Sequence, residues 1–375
     1  MFKPCILIGN GCRNNPNFVQ YLCSLNIPVL TTWQGIDLVA EDNPAYCGRP
    51  GVFGQRAANI IQSKADAMFC YGARIDGEQT AYDYSRFAPN AKKYVVDVDE
   101  AELSKFPADW SKACLDLSKA TIDDIQRKQD PAWLTWCKAL YQRFRPELDA
   151  DPLSTYIGVK EFMTALHEAT NENDLLALGS SGGVVNTFLQ TYKVKAGQRI
   201  TVCASIGGMG MDIPMAIGGS LASGRRTITL AGDGGFNLNT QELEVVRRLN
   251  LNIKFFVFNN NGYGSIRAMQ DARFEGRHVA CDPESGFTIP SIRSLSECYQ
   301  IDYYNIWARD QLSHITGMLY DKSPMIVEVL IDPAWKQWPK VGSTMRGTTF
   351  EVDGMHDMTP HLPAEELVEI MAWGN

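Results

Sequence analysis

The most constraining feature of the chain is the stretch from Thr227 to Gly264, TITLAGDGGFNLNTQELEVVRRLNLNIKFFVFNNNGYG. Thr227 to Ala231 form a short apolar run that ends on Gly232-Asp233-Gly234-Gly235. Leu238, Leu243, Val246 and Leu249 follow near helical spacing, and Ile253 to Phe258 form a second apolar run that ends on Asn259-Asn260-Asn261-Gly262. The order strand, turn, helix, strand, turn predicts two parallel strands joined by a right-handed crossover. Parallel strands end on the same edge of a sheet. Asp233 and Asn260, 27 positions apart, are therefore expected side by side where open α/β sheets bind ligands.

The two turns carry a specific chemistry. Asp233 offers an anionic oxygen, Asn260 a neutral amide oxygen, and Gly262 a backbone carbonyl. An all-oxygen set with few charges suits Mg²⁺ or Ca²⁺ whose remaining ligands are phosphate oxygens. The glycines allow backbone N–H groups to approach a diphosphate, and the following helix presents its positive end. The competing reading is a pair of ordinary Asp–Gly and Asn–Gly turns. It is weakened because both turns follow strands.

At 375 residues the chain is long enough for two domains, each with its own core. A net charge of −8 argues against a nucleic-acid surface. No apolar run is long enough to span a bilayer, and the N-terminus reads as a first strand rather than a leader. The 10 cysteines are scattered singly, without C-x-x-C and without metal-like pairing to the histidines, as in a cytoplasmic protein with reduced thiols.

Along the chain, residues 1–120 alternate strand and helix and predict a small doubly wound parallel sheet. Cys5 to Ile8 lead into Gly9-Asn10-Gly11, a tight strand-to-helix turn that lacks the third glycine of a dinucleotide fingerprint. Residues 121–155 read as a connector, with a helix after Pro131 carrying Trp133, Leu134, Cys137, Leu140, Tyr141 and Phe144 on one face. Residues 156–375 form the second unit, again α/β, and include a long tail with Trp335, Trp338, Phe350, His356 and His361. Besides the central stretch, this unit has glycine turns at Gly179-Ser180-Ser181-Gly182-Gly183 and Gly207-Gly208-Met209-Gly210, which the topology brings to the same sheet edge.

The pattern GDG, helix and strand, then NN resembles the thiamine diphosphate signature. GNG near the start, GRPGVFGQRAAN, GARID and DVDEAEL resemble the central domain of acetolactate synthase (acetohydroxyacid synthase)-like enzymes, and the second unit resembles their C-terminal diphosphate-binding domain. The resemblance implies thiamine diphosphate and Mg²⁺ as cofactors, with Asp233, Asn260 and the Gly262 carbonyl as metal ligands. It implies cofactor contacts from Gly179, Ser180, Ser181, Gly207, Gly208, Met209, Gly232, Asp233, Gly234, Gly235, Asn260, Gly262 and Tyr263. Met209 would be the apolar wedge that bends the cofactor into its reactive form, although a methionine filling a core gap is the plainer alternative. FAD is left open by Arg74 in the GARID turn.

The same resemblance implies decarboxylation of a 2-oxo acid, pyruvate, with carboligation of the two-carbon unit to a second carbonyl compound. Asp212 before Ile213-Pro214, NNNGYGSIRAMQ and DGMHDMTPHLPAEEL resemble a subgroup, some of whose members add the two-carbon unit to a keto sugar. In this family a pyrimidine-binding domain supplies a glutamate, and no glutamate here has the matching context. Glu41 and Glu78 fall in the central domain. The expectation is half an active site, completed by a partner pyrimidine-binding domain in a homo- or hetero-oligomer. The alternative is a truncated fragment or a non-catalytic subunit that only holds the cofactor or a nucleotide.

Overall fold

A computed structural model of the chain describes residues 2–117, 130–148, 155–179, 182–203, 207–347 and 349–374. Two compact units emerge, one made of Met1–Leu148 with Trp338–Asn375, the other of Asp149–Gln337. Each is an all-parallel sheet between helices, as expected for strands linked by crossover helices. Among the described residues no helix is long and apolar enough to cross a membrane.

The first unit contains β1 (Pro4–Ile8), β2 (Val29–Thr31), β3 (Ala67–Tyr71), β4 (Lys92–Asp97) and β5 (Ser111–Cys114), in the order β2-β1-β3-β4-β5. Strands β1 and β3 are buried along their whole length, which is why they read as unbroken apolar runs. Chain order reverses between β1 and β3, the place where such sheets open a crevice. Here backbone closes it. Gly9 N–H donates to Tyr71 O at 2.9 Å, and a Cβ on Gly9 would lie 2.1 Å from Gly72 O. The glycines of this turn are needed for close packing. Arg74, the residue tied to FAD by resemblance, is exposed and forms an ion pair with Glu102.

Two segments that sequence order separates from this unit pack into it. Helix Trp133–Arg143 buries Trp133, Cys137, Leu140 and Tyr141, and Trp133 Nε1 donates to Pro4 O at 2.7 Å. The rest of the expected connector, 121–129 and 149–154, lies outside the described residues. The tail, placed by the sequence reading with the second unit, returns to the first. Helix Ala364–Ala372 inserts Ile370 into its core, Trp373 stacks on Trp136 at 4.7 Å, and Arg56 holds the Met358 and Pro360 carbonyls. Ahead of it, β12 (Ser343–Arg346) and β13 (Thr349–Val352), numbered after the second unit's six strands, pair as an antiparallel hairpin.

The second unit contains β6 (Leu175–Leu178), β7 (Arg199–Val202), β8 (Thr227–Gly232), β9 (Ile253–Asn259), β10 (Asp302–Ile306) and β11 (Met325–Leu330), in the order β10-β11-β9-β8-β6-β7. The register of β8 on β9 runs from Thr227 opposite Ile253 to Gly232 opposite Phe258. Phe236, Phe255 and Val257 lie in one layer of core, while Phe162 packs edge-on against Phe256 and Phe258 on the other face. At the amino ends of the strands a buried, bidentate ion pair, Arg226 Nε to Asp174 Oδ1 at 2.7 Å and Nη2 to Oδ2 at 2.6 Å, ties the start of β8 to that of β6. It holds two neighbouring strands whose opposite ends carry the glycine turns.

Removing one member of that pair leaves a buried carboxylate uncompensated. Arg226→Met is expected to lower stability by about 3 kcal/mol, and combining it with Asp174→Leu to recover part of the loss. Urea unfolding with unchanged denaturant slope is the measurement. A single variant as stable as the parent would show the pair to be energetically silent.

Candidate functional site

Chain order in the second sheet reverses between β6 and β8, so the crevice of this unit lies outside their carboxyl ends. Three neighbouring strands, β6, β8 and β9, deliver their following turns to that edge. Gly179 follows β6, Asp233 follows β8, and Asn260 follows β9.

Asp233 opens a one-turn helix, Asp233–Phe236, and is 1% exposed. Its Oδ1 accepts from Gly234 N at 2.7 Å, and its Oδ2 accepts from Gly262 N at 2.9 Å. The carboxylate thus bridges the two turns. Burial pushes its pKa up to about 6, against the pull of the backbone N–H groups. A cation beside it would reverse that shift.

Asn260 completes the arrangement. One terminal atom of its amide lies 2.8 Å from Gly262 O and 3.3 Å from Asp233 Oδ1. With nitrogen there, the amide donates to both oxygens; with oxygen there, three oxygens converge. Octahedral Mg²⁺ with ligands at about 2.0–2.1 Å places adjacent ligand oxygens about 2.9 Å apart. The observed spacings fall on either side of that value, so with the amide oxygen turned inward the residues present would fit the ion. The carbonyl of Gly262 is turned inward by a backbone with φ +140°, and Asn261 before it has φ +60°.

The surrounding glycines are there because something leans on them. A Cβ at Gly234 would lie 2.5 Å from the Tyr263 ring, which itself stacks on Phe287 at 4.1 Å. One at Gly262 would lie 2.2 Å from Cys281 O, the carbonyl that accepts from Tyr263 N. Gly232 ends β8, and Gly235 is buried within the one-turn helix. The loop carrying Cys281 is pinned by Arg267, whose Nε donates to Asp282 Oδ2 at 3.1 Å and whose Nη1 donates to Pro333 O at 2.7 Å.

Met209 stands 45% exposed on a turn bent by Gly207 (φ +63°) and Gly210 (φ +79°). A Cβ at Gly208 between them would meet only Met211 Cγ, at 3.6 Å, an ordinary contact. Asn239 Nδ2 donates to Gly210 O at 2.8 Å and fixes the turn beside the Asp233 segment. Met209 therefore fills no core gap. At the β6 end, Gly179 packs against the start of helix Asp212–Ser223, while Ser180 and Ser181 lie outside the described residues. Gly182 adopts φ +46° against Ser265, and Gly183 lies under the Trp335 ring.

The structure thus brings together Gly179, the 207–210 turn, the 232–235 turn and Asn260 to Tyr263. Sequence reasoning missed Asn239, Ser265, Phe287 and Trp335, which support these turns from elements without a motif. It also missed one convergence. His278, Cys281 and Asp282 place ligand-type atoms within 4.8 Å of one another. Those groups are already engaged, His278 with Asp271 at 2.7 Å, Cys281 with Gln270, and Asp282 with Arg267.

Comparison with known families settles the lineage. Residues 179–329 match the thiamine pyrophosphate enzyme C-terminal TPP binding domain, and residues 2–120 match the thiamine pyrophosphate enzyme central domain. The chain belongs to the thiamine pyrophosphate enzyme family. Among its relatives is the acetolactate synthase large subunit of Lactococcus lactis subsp. lactis (strain IL1403), 26% identical over 361 residues that cover 94% of this chain and 61% of that protein. The acetolactate synthase isozyme 2 large subunit of Escherichia coli (strain K12) is 26% identical over 368 residues, 90% of this chain and 62% of that one. Acetolactate synthase 1, chloroplastic, of Oryza sativa subsp. japonica is 27% identical over 345 residues, 88% and 53%. The chain therefore spans well under two thirds of the length of these relatives. The glycine turns at the second sheet's edge fall within the segment that matches the thiamine pyrophosphate binding domain.

Two glycine substitutions separate that requirement from general tolerance. Gly262→Ala places a Cβ on a left-handed backbone and into Cys281 O, and should cost about 2 kcal/mol or more. Gly218→Ala, in the helix Asp212–Ser223, where an added Cβ would meet nothing within 4 Å among the described residues, should stabilise by roughly 1 kcal/mol. Chemical denaturation of both variants checks the contrast, and equal effects of either sign would contradict the account of the turn.

Proposed function

We propose that the chain binds thiamine diphosphate through a Mg²⁺ ion held by Asp233, Asn260 and the Gly262 carbonyl, and contributes this site to an acetolactate synthase-like enzyme. The reaction is decarboxylation of a 2-oxo acid, pyruvate, with transfer of the remaining two-carbon unit to a second carbonyl compound. The observation that carries the reading is the convergence of Asp233 Oδ1, the Gly262 carbonyl and one terminal atom of the Asn260 amide at the ends of β8 and β9, together with an exposed methionine on a glycine turn. The names of the relatives supply the acetolactate chemistry.

When bound, the cofactor supplies the electron sink for loss of CO₂. The chain's own residues bind and orient. Asp233 and Asn260 would hold the metal, the backbone of Gly234 and Gly235 would hold the diphosphate, and the exposed Met209 would offer an apolar ledge to the rest of the cofactor. A pyrimidine-binding domain completes the pocket and brings the acidic group, within a cytoplasmic oligomer. The acceptor is a second 2-oxo acid, with a keto sugar as the competing choice.

Metal and diphosphate binding are expected to weaken at least about tenfold in Asp233→Ala and in Asn260→Ala, each of which deletes one ligand oxygen. Titration calorimetry with thiamine diphosphate and Mg²⁺, alongside an unfolding curve that shows the fold intact, makes the test. Unchanged affinity in both variants would overturn the metal assignment.

Met209→Ala separates holding from bending. Met209 supplies no proposed metal ligand and no N–H of the diphosphate turn, so affinity should change little. Turnover in the enzyme completed with a pyrimidine-binding domain should fall on the order of 100-fold, as expected when reacting atoms are misplaced by about 1 Å. Equal turnover would show that Met209 only packs.

A further inference from the structure

Strand β11, with the sequence MIVEVL, carries a single charge, Glu328. In the parallel register Glu328 pairs with Val257 of β9 and with Asn305 of β10. The period of two puts it on the same side of the sheet as Ile326 and Phe255, both fully buried. A carboxylate in such a place is unfavourable unless hydrogen bonds satisfy it. Glu328 receives two. Its Oε1 accepts from Asn259 Nδ2 at 2.6 Å, and its Oε2 accepts from the Tyr303 hydroxyl. Tyr303 stays a donor, because burial and the adjacent Glu328 carboxylate push its pKa up to about 12.

These bonds fix the direction of the Asn259 amide. Its nitrogen is held by the carboxylate, so its oxygen turns the other way and accepts from Asn261 N at 2.9 Å. A reversed amide would set oxygen against carboxylate and nitrogen against N–H, so only one orientation satisfies both neighbours. The bond to Asn261 closes a tight turn over Asn260. It holds Asn261 at φ +60°, a left-handed conformation that residues other than glycine adopt at a cost. Gly262 follows directly, and its N–H donates to Asp233 Oδ2 at 2.9 Å. One chain of hydrogen bonds therefore runs from Tyr303 on β10 through Glu328 on β11 and Asn259 on β9 into the turn that carries Asn260 and Gly262.

We propose that Glu328 is a positioning residue for this turn: through the Asn259 amide it holds Asn261 left-handed, and so keeps the Asn260 amide and the Gly262 carbonyl converging with Asp233. The proposal rests on the metal reading above, in which that turn supplies two of the three ligands. It extends the site by two strands, to residues that offer no ligand atom themselves.

The test is titration calorimetry on the full chain with Mg²⁺ and two probes, thiamine diphosphate and inorganic pyrophosphate, well below each variant's melting temperature. Glu328→Leu removes the acceptor, and both affinities should fall about 10-fold to 100-fold, as when a group behind a metal ligand is lost. Glu328→Gln keeps an oxygen for the Asn259 amide and offers its nitrogen to the Tyr303 hydroxyl, so its affinities should stay close to the parent's. Asn259→Asp sets a second carboxylate against Glu328 and should weaken binding as Glu328→Leu does. Adding Glu328→Gln to it restores a donor at that contact and should recover most of the loss. A carboxylate that serves only the fold predicts a lower melting temperature in Glu328→Leu with both affinities unchanged, and that result would overturn the proposal. Should Glu328→Leu fail to fold, the Asn259→Asp variants decide, and parent-level affinity in the single variant or no recovery in the double one overturns it. If the parent binds neither probe, the cofactor reading fails and the proposal with it. If Asp233→Ala loses binding and Glu328→Leu does not, the metal reading stands and only the role of Glu328 falls.

Discussion

The site depends on one buried carboxylate that reaches across from the end of one strand to the turn after its neighbour. Asp233 is positioned by β8, but its Oδ2 is bound by the N–H of Gly262, which is positioned by β9. The parallel register that sets Gly232 opposite Phe258 makes this reach short. A shift of that register would carry the carboxylate away from the Gly262 N–H, and would also turn alternate side chains of β8 and β9 to the wrong face. Packing of Phe236, Phe255 and Val257 on one side and Phe162 on the other therefore protects the geometry of the turns as well as the stability of the sheet.

Around that carboxylate the amide of Asn260 can serve two situations with the same shape. Rotated one way it donates to Gly262 O and Asp233 Oδ1, and rotated the other way it adds a third oxygen to them. The other end of the amide lies against the bare Cα of Gly264, where a Cβ would come within 2.2 Å of Nδ2. Glycine at 264 is therefore part of the site although it offers no ligand atom. An amide suits this position better than a carboxylate would, because a second anion beside Asp233 would raise an already elevated pKa.

What could be read in the sequence follows from how local each constraint is. Strands β1 and β3 are unbroken apolar runs, β8, β9 and β11 are mostly apolar despite Thr229, Lys254 and Glu328, and the turns after β8 and β9 carry their chemistry within a few residues, so both were legible. Strand β5 was not, because Ser111–Cys114 is a mostly exposed edge strand without an apolar pattern. Nor was the return of the tail, since Trp373 on Trp136 and Arg56 on the Met358 carbonyl join residues hundreds of positions apart. Helix Gly264–Arg273 buries none of its residues and so lacks a period to read.

The two units use the same architecture and treat its natural crevice in opposite ways. In the first, Gly9 and Gly11 let backbone approach Gly72 so closely that the reversal between β1 and β3 is filled by main chain, with Gly11 N–H donating to Gly72 O at 3.0 Å. The N–H groups of Gly9 and Gly11 at that point find partners in the fold itself. At the reversal in the second unit, Gly179 makes way for Asp212, which is buried and incompletely bonded, and the next strand ends on Asp233, whose carboxyl is lifted by burial. Buried polar groups without full internal partners are unfavourable in the free fold and become favourable only when a ligand completes them. By that criterion the first crevice is a packing solution, and the second leaves polar groups for a ligand to complete. The difference comes from what each glycine makes room for, backbone in one case and a carboxyl in the other.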